Sequence, residues 1–392
     1  MKKEKNRYFI LVMAAVTNFC YGCGYIWTVF QTEAKSRFQL ADAEANRPFS
    51  IFMALFVIRN ILGGKLQQKF RSRTVVLAGN ALMCLGFLLT ALVPKEFPWI
   101  LNITYGVLSG IGAGTAYNAL VAVVQKWFPD RRGLVTGITI CSSGSAGLIM
   151  SPICNQCIAV FGFSNAMLIV TLIYVVIGFG GGYFIDSPPE GYEKRYPQPS
   201  HVAVSSRQFM ASEMVHTREY YLIAGAYMLA VPAYFLINPM MKSLGLARGL
   251  TESVAVAGVM AAAVLNVAGR LLAPWISDRT GRKPMLCALF LVSLLSVTGL
   301  IWVGSGLFLL LVCCVAFAYG GFCAVFPVIT SDYFGSRNAG MNYGIVMIGT
   351  CISSLLCPSL TSIGTGFSFG VAAVCCIAGS ALMILLKKPG QA

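Results

Sequence analysis

The stretch Pro274-Trp275-Ile276-Ser277-Asp278-Arg279-Thr280-Gly281-Arg282-Lys283 is a short charged loop between two long apolar segments. A similar loop, Gly64-Lys65-Leu66-Gln67-Gln68-Lys69-Phe70-Arg71-Ser72-Arg73, lies between two apolar segments near the start of the chain. Duplicated halves of this kind are typical of carriers that expose a central site to the two sides of a membrane in turn. The pair of loops therefore predicts two related halves in one chain.

A second pair of loops repeats in the same way. Trp127-Phe128-Pro129-Asp130-Arg131-Arg132-Gly133 resembles Tyr333-Phe334-Gly335-Ser336-Arg337-Asn338-Ala339-Gly340 in the later half. The first of these loops follows the fourth long apolar segment of the chain, and the second follows the tenth. Two loop pairs in the same order make a duplication of six segments the simplest interpretation.

The composition indicates a membrane protein. Of the 392 residues, 57% are hydrophobic and 11% are charged, whereas soluble domains carry about 25% charged residues. A soluble enzyme, a disordered chain and a disulfide-rich secreted domain are therefore excluded. A spanning helix needs about 20 apolar residues, and twelve segments meet this need: 8–30, 48–66, 74–93, 98–124, 133–158, 163–185, 219–241, 252–276, 285–303, 306–330, 343–363 and 366–386.

The distribution of basic residues predicts the topology. Most of the 29 lysines and arginines lie at the N-terminus, at the C-terminus and in alternate loops, so the positive-inside rule places both termini in the cytoplasm. The same rule accounts for the net charge of +15 without nucleic-acid binding. The long polar segment after the sixth span predicts three parts: an N-terminal six-helix bundle (1–186), a cytoplasmic linker (187–218) and a C-terminal six-helix bundle (219–392).

The loops resemble the signature of the major facilitator superfamily, G-x-L-x-D-x-x-G-R-K. The later copy matches at Asp278, Gly281, Arg282 and Lys283, although Pro274 replaces the leading glycine. The earlier copy departs from the pattern, with Gln68 in place of the acidic residue and Arg71 in place of a glycine. The resemblance implies an all-α membrane fold of twelve helices in two pseudo-symmetric six-helix bundles. The residues expected to gate the cytoplasmic side are Asp278, Gly281, Arg282, Asp130 and Arg131.

Motifs along nearly the whole chain resemble the oxalate/formate antiporter family, the bacterial relatives of monocarboxylate transporters. They are Gly24-Tyr25-Ile26-Trp27-Thr28-Val29-Phe30, Gly112-Ala113-Gly114-Thr115-Ala116-Tyr117-Asn118, Ser187-Pro188-Pro189-Glu190-Gly191-Tyr192, Asn266-Val267-Ala268-Gly269-Arg270 and Asn338-Ala339-Gly340-Met341-Asn342-Tyr343-Gly344. The resemblance implies a secondary active carrier of small carboxylates.

Arg270 is the main candidate for substrate binding. It lies eight residues before Asp278, about 12 Å along a helix, and hence deep in the predicted eighth span. A guanidinium there costs at least about 2.5–3.5 kcal/mol on insertion scales, and its planar fork matches a carboxylate. Asn266, four residues earlier, lies on the same helical face. Its amide can bind substrate oxygens or another helix, but it cannot relay a proton.

Aromatic residues are candidates for the walls of the site. Tyr25 and Tyr117 belong to motifs that line the central cavity in the family that the chain resembles. Tyr319, Phe322 and Phe326 recur at i, i+3 and i+7, on one face of the tenth predicted span. Such a stripe is typical of packing between helices. In a carrier of small anions it also excludes water and offers tyrosine hydroxyls to a carboxylate.

Two further positions bear on the charge of the substrate. Oxalate exchangers of the family carry a lysine in the eleventh span, where Thr350 stands after alignment on Tyr343-Gly344. One central cation favours a monoanion such as lactate, pyruvate or formate over a dicarboxylate. Arg59, in the second predicted span, either adds to the positive field or extends to the cytoplasmic surface. A dicarboxylate exchanger therefore remains the alternative.

The remaining predictions concern cofactors, partners and location. Both histidines, His201 and His216, fall in the predicted linker, and the cysteines lie mostly within apolar segments, so we expect no metal, no cofactor and no enzyme activity. The expected partners are a small carboxylate, membrane lipid and, in a symport mechanism, protons. By resemblance the protein is a monomer of the bacterial inner membrane. A non-transporting membrane sensor on a carrier scaffold is the alternative of another class.

Overall fold

In the computed structural model, residues 6–189, 191–196, 205, 207–361 and 364–387 are described. The chain divides into two compact units. The first consists of residues 1–129 and 142–197, and the second of residues 130–141 and 198–392. The predicted domain boundaries at 186 and 218 stay a prediction. The segment 130–141, which follows the fourth apolar segment, packs with the second unit.

The described residues of the first unit form helices joined by short turns. A 3₁₀ helix, Tyr21–Ile26, joins its first two α-helices, and a π-helix, Asn102–Ser109, precedes its fifth. The last α-helix of this group begins in the second unit and continues into the first. The α-helices are α1 (Arg7–Cys20), α2 (Trp27–Phe38), α3 (Asp42–Lys69), α4 (Ser72–Ala91), α5 (Gly110–Trp127) and α6 (Arg132–Gly182).

The second unit contains ten further α-helices among its described residues, two of which, α8 and α9, succeed one another where the seventh span is predicted. They are α7 (Ala211–Met214), α8 (Arg218–Ala230), α9 (Pro232–Ile237), α10 (Met241–Ala247), α11 (Glu252–Thr280), α12 (Arg282–Trp302), α13 (Ser305–Phe334), α14 (Ala339–Val346), α15 (Ile348–Thr361) and α16 (Thr365–Leu385). No strand occurs among the described residues of either unit, so the predicted all-α fold class is confirmed.

Nine helices in the described residues are long and apolar enough to cross a membrane. One of them, α6, has 51 residues and covers two predicted segments, 133–158 and 163–185. Gly162 interrupts it with φ 74°, a conformation that favours glycine because it has no Cβ. The segment 48–66 falls in α3, and the described part of the segment 343–363 falls in the pair α14–α15. Each of the twelve predicted segments thus corresponds to helical structure.

The later described part of the predicted linker, Ser205 and residues 207–218, is bound within the second unit. The Ser205 N–H donates to the Asp332 carbonyl (2.8 Å), and the Phe209 N–H donates to the Phe334 carbonyl (3.0 Å). The Met210 N–H donates to the Glu213 carboxylate (2.7 Å), and with the nearby Arg207 guanidinium it holds the pKa of Glu213 below its usual value. This segment therefore covers the carbonyl end of α13, which a helix otherwise leaves without partners.

Candidate functional site

Arg270 and Asn266 are joined within α11. The Arg270 Nε–H donates to Asn266 Oδ1 at 3.0 Å, and both residues are only 6% exposed. The spacing of four residues brings them to one face, as the sequence predicts. Because the amide is neutral, it orients the guanidinium while leaving its positive charge unchanged.

Two glycines bring α13 against this turn of α11. A Cβ on Gly269 would collide with the Phe317 carbonyl, and one on Gly320 would collide with the Asn266 carbonyl. Any larger residue at either position would push the helices apart. The close approach fixes the level of Tyr319, which precedes Gly320, beside the turn that carries Asn266 and Arg270.

The aromatic residues of α13 have different surroundings. Tyr319 is half-buried and stacks on Tyr234 of α9, with ring centroids 4.2 Å apart and planes at 3°. Phe322 and Phe326 are fully buried. Phe322 packs on the Phe290 ring (4.6 Å), and Phe326 stacks on Tyr227 (4.2 Å). The sequence analysis missed Tyr227 and Tyr234, although their spacing of seven residues equals that of Tyr319 and Phe326.

A break in the predicted seventh span positions Tyr234. Pro232 has no N–H, so it cannot donate to the Met228 carbonyl one turn earlier. The Ser353 hydroxyl of α15 donates to that carbonyl at 2.6 Å. Gly349 makes this approach possible, because a Cβ there would lie 2.9 Å from the Met228 Cβ. A new helix, α9, therefore begins at Pro232. The Met228 carbonyl, which Pro232 cannot bind, accepts the hydrogen bond from Ser353 instead.

The other predicted site residues are placed as follows. Tyr117 is buried and Tyr25 is 41% exposed, both in the first unit. The Thr350 hydroxyl donates to the Met347 carbonyl at 2.7 Å, at the start of α15. Arg59 belongs to α3, but its side chain lies outside the described part of the structure. Their predicted roles in binding stay predictions.

The stretch 274–283, predicted as a loop, lies in the end of α11 and the start of α12, with Gly281 alone between them. The end of α11 binds the beginning of α6. Asp278 accepts hydrogen bonds from the backbone N–H groups of Gly133 (2.9 Å) and Leu134 (2.8 Å). A carboxylate at a helix N-terminus satisfies amides that have no partner within the helix. Arg282 Nη1 lies 2.7 Å from the same carboxylate. Gly281 makes the turn between them with φ 92°, a conformation that other residues rarely adopt.

A buried carboxylate that the sequence analysis assigned no role extends this cluster. Asp332 lies 2.9 Å from Arg282 Nε and 3.2 Å from Arg132 Nη1. All three side chains are less than 9% exposed. By contrast, Asp130 and Arg131 are neighbours in the chain and pair with each other at 3.7 Å. The arginine side chain of this pair is exposed.

Comparisons with known protein sequences find relatives that are named as transporters. The family model described as the Major Facilitator Superfamily matches residues 8–358. The uncharacterized MFS-type transporter YhjX of Escherichia coli (strain K12) is 26% identical over 364 residues, covering 90% of this chain and 87% of YhjX. The oxalate:formate antiporter of Oxalobacter formigenes is 25% identical over 373 residues, covering 94% and 87%. Monocarboxylate transporter 12 of Xenopus laevis is 23% identical over 360 residues, covering 85% and 76%.

Solved structures share the fold. The fucose:proton symporter FucP of E. coli has a TM-score of 0.75 at 13% identity, covering 98% of this chain and all of FucP. The proton:xylose symporter XylE has a TM-score of 0.71 at 15% identity, covering 97% and 96%. At these identities the likeness concerns the architecture alone.

Proposed function

This chain belongs to the major facilitator superfamily, and from that premise we propose that it carries a small monocarboxylate across the membrane by alternating access. Members of the superfamily are multi-pass membrane transporters of small molecules and are not enzymes. The finer proposal concerns the substrate, which we assign to the lactate, pyruvate or formate class. It also includes secondary active transport by a monomer of the inner membrane, with both termini in the cytoplasm.

The observation that carries this proposal is the buried Arg270 guanidinium, oriented by Asn266 through a 3.0 Å hydrogen bond. A charge at this depth is costly, and a carboxylate would offset the cost through two parallel charge-assisted hydrogen bonds. The relatives named for oxalate, formate and monocarboxylate transport support the same class of anion. Thr350, which carries no charge, supports a monoanion over a dianion.

A flux experiment tests the proposal. Purified protein in liposomes receives labelled L-lactate outside under an inward proton gradient, with vesicles either empty or preloaded with unlabelled monocarboxylate or oxalate. We expect saturable uptake that protein-free liposomes lack. Uptake into empty vesicles that collapses with the gradient would identify proton-coupled transport, and uptake only after preloading would identify anion exchange. If lactate, pyruvate and formate all fail to enter in either format, the proposal is wrong.

A change at Asn266 tests how Arg270 is kept available to the substrate. Asn266→Asp retains the acceptor oxygen but adds a negative charge 3.0 Å from Nε. Above the pKa of the new carboxyl group, the ion pair should compete with the substrate and lower the apparent affinity by at least about tenfold. Below that pKa the neutral acid resembles the amide, so affinity should recover. The measurement is the half-saturating lactate concentration at several external pH values.

The matched control for this prediction is Asn266→Leu. It removes the acceptor without adding a charge, so its apparent affinity should fall without a new dependence on pH. Wild-type protein measured at each pH corrects for protonation of lactate itself. Equal pH profiles for Asn266→Asp and wild type would show that Asn266 does not lie against Arg270 during transport.

A further inference from the structure

Two layers of stacked aromatic rings join the seventh predicted span to α13. We call Tyr234 with Tyr319 the Tyr234 tier, and Tyr227 with Phe326 the Tyr227 tier. Tyr227 and Tyr234 are seven residues apart, and so are Tyr319 and Phe326. The two tiers are therefore separated by about 10 Å along the helices. In both tiers the ring centroids are 4.2 Å apart. The two tiers nevertheless differ in accessibility.

The Tyr227 tier is part of the packed interior. Tyr227 and Phe326 are buried, and the Tyr227 hydroxyl lies 3.2 Å from the Tyr343 hydroxyl. This hydroxyl pair satisfies a polar group that burial would otherwise penalise. The tier therefore binds α8, α13 and α14 together, and its rings are already in contact with neighbours on both sides.

The Tyr234 tier is only half-buried. Tyr234 and Tyr319 are both partly exposed. Tyr319 keeps this exposure although it belongs to the turn of α13 that packs against α11. Gly320, the next residue, lies against the Asn266 carbonyl. The tier is therefore level with the turn that carries the proposed anion anchor, and it presents aromatic surface at that depth. Aromatic surface beside a few convergent polar groups is typical of small-molecule sites.

The position of Tyr234 is fixed by other elements rather than by its own short helix. The break at Pro232 is stabilised by the Ser353 hydroxyl on the Met228 carbonyl. Phe235 also contacts Tyr319, with centroids 5.5 Å apart. The break before Tyr234 is thus held from α15, while its ring is held against Tyr319 of α13. A larger ligand would have to displace the stacked ring, and displacement of packed side chains is costly.

We propose that Tyr234 is a specificity-determining residue, whose ring, stacked on Tyr319, limits the size of the substrate's apolar tail while Arg270 holds the carboxylate. This inference rests on the proposed function and extends it to the tail of the substrate. The ring face acts through its volume, so its hydroxyl is not required for selection. Removal of the ring would open space beside Tyr319 for longer carboxylates.

The test compares inhibition of labelled L-lactate uptake by acetate, butyrate and hexanoate. For Tyr234→Ala, we expect the half-inhibitory concentration of hexanoate to fall at least about tenfold relative to that of acetate, as apolar pocket contacts discriminate by this order. Tyr234→Phe should keep the wild-type ratio because it retains the ring. Tyr221→Ala is the matched control, since Tyr221 lies on the same predicted span and is exposed.

The outcomes separate the two proposals. Unchanged ratios in a transporting Tyr234→Ala protein would overturn the role of Tyr234 and leave the monocarboxylate function standing. If Tyr234→Ala fails to insert, Tyr234→Trp takes its place. Its larger ring should raise the half-saturating concentration of lactate relative to acetate, and an unchanged ratio would overturn the proposal equally. Absence of monocarboxylate uptake by wild-type protein would overturn the proposed function, and this inference with it.

Discussion

Replacement of Arg270 by glutamine is expected to lower the ratio kcat/KM for monocarboxylate transport by at least about a hundredfold. In the proposed mode of binding, the replacement would remove two charge-assisted hydrogen bonds to the substrate, each contributing about 1.5–3 kcal/mol. Arg270→Lys should be intermediate, because the ammonium keeps the charge but not the planar fork. The measurement is initial uptake of labelled L-lactate at several concentrations, normalised to the amount of inserted protein.

The matched control for Arg270 is Arg279→Gln, on the same helix. Arg279 is exposed near the end of α11 and lies over the Trp275 ring, 4.8 Å from its centroid. Its replacement should change kcat/KM little. Size-exclusion chromatography establishes that each variant is folded. A folded Arg270→Gln protein with wild-type kcat/KM would remove Arg270 from the binding site and require a different anion anchor.

The second large effect is expected for stability. Asp332→Ala leaves the Arg132 and Arg282 guanidinium groups buried without the carboxylate between them. Removal of one partner from a buried ion pair costs about 3–5 kcal/mol. We therefore expect a marked fall in the midpoint of thermal unfolding of the purified protein in detergent.

A double-mutant cycle and a surface pair serve as controls for Asp332. Arg282→Gln should cost less in the Asp332→Ala background than in wild type, because the two residues are in contact. Glu252→Gln removes an exposed ion pair with Lys242 and should change the midpoint far less, since exposed pairs contribute little. Additive effects of Asp332→Ala and Arg282→Gln would show that the cluster does not act as a unit.

The cluster also bears on gating, which stays a proposal. Asp278 binds the start of α6 through two backbone N–H groups, and Asp332 binds Arg132 in the same turn. Any movement of the start of α6 away from α11 must break these contacts together. These contacts of the end of α11 support the proposed role of the signature as a latch. Gln68, at the corresponding place in the earlier loop, cannot supply a negative charge.

Much of the fold was predictable because the membrane imposes local requirements. A span needs an uninterrupted apolar segment, and backbone groups in lipid must be satisfied within a helix. These rules act on neighbouring residues, so the twelve apolar segments and the all-α class can be inferred from the sequence. The contact between Asn266 and Arg270 follows in the same way, because helical spacing alone brings residues i and i+4 together.

Only the tertiary structure decided the contacts between distant segments. Asp332 and Arg132 are 200 residues apart in the chain, and no periodicity relates them. The stacking of Tyr234 on Tyr319 depends on the close approach of helices at Gly269 and Gly320 and on the break at Pro232. The sequence by itself thus determined the spans, the repeated loops and the buried arginine. Which helices are neighbours, and hence which side chains surround that arginine, depends on packing among segments that are remote in sequence.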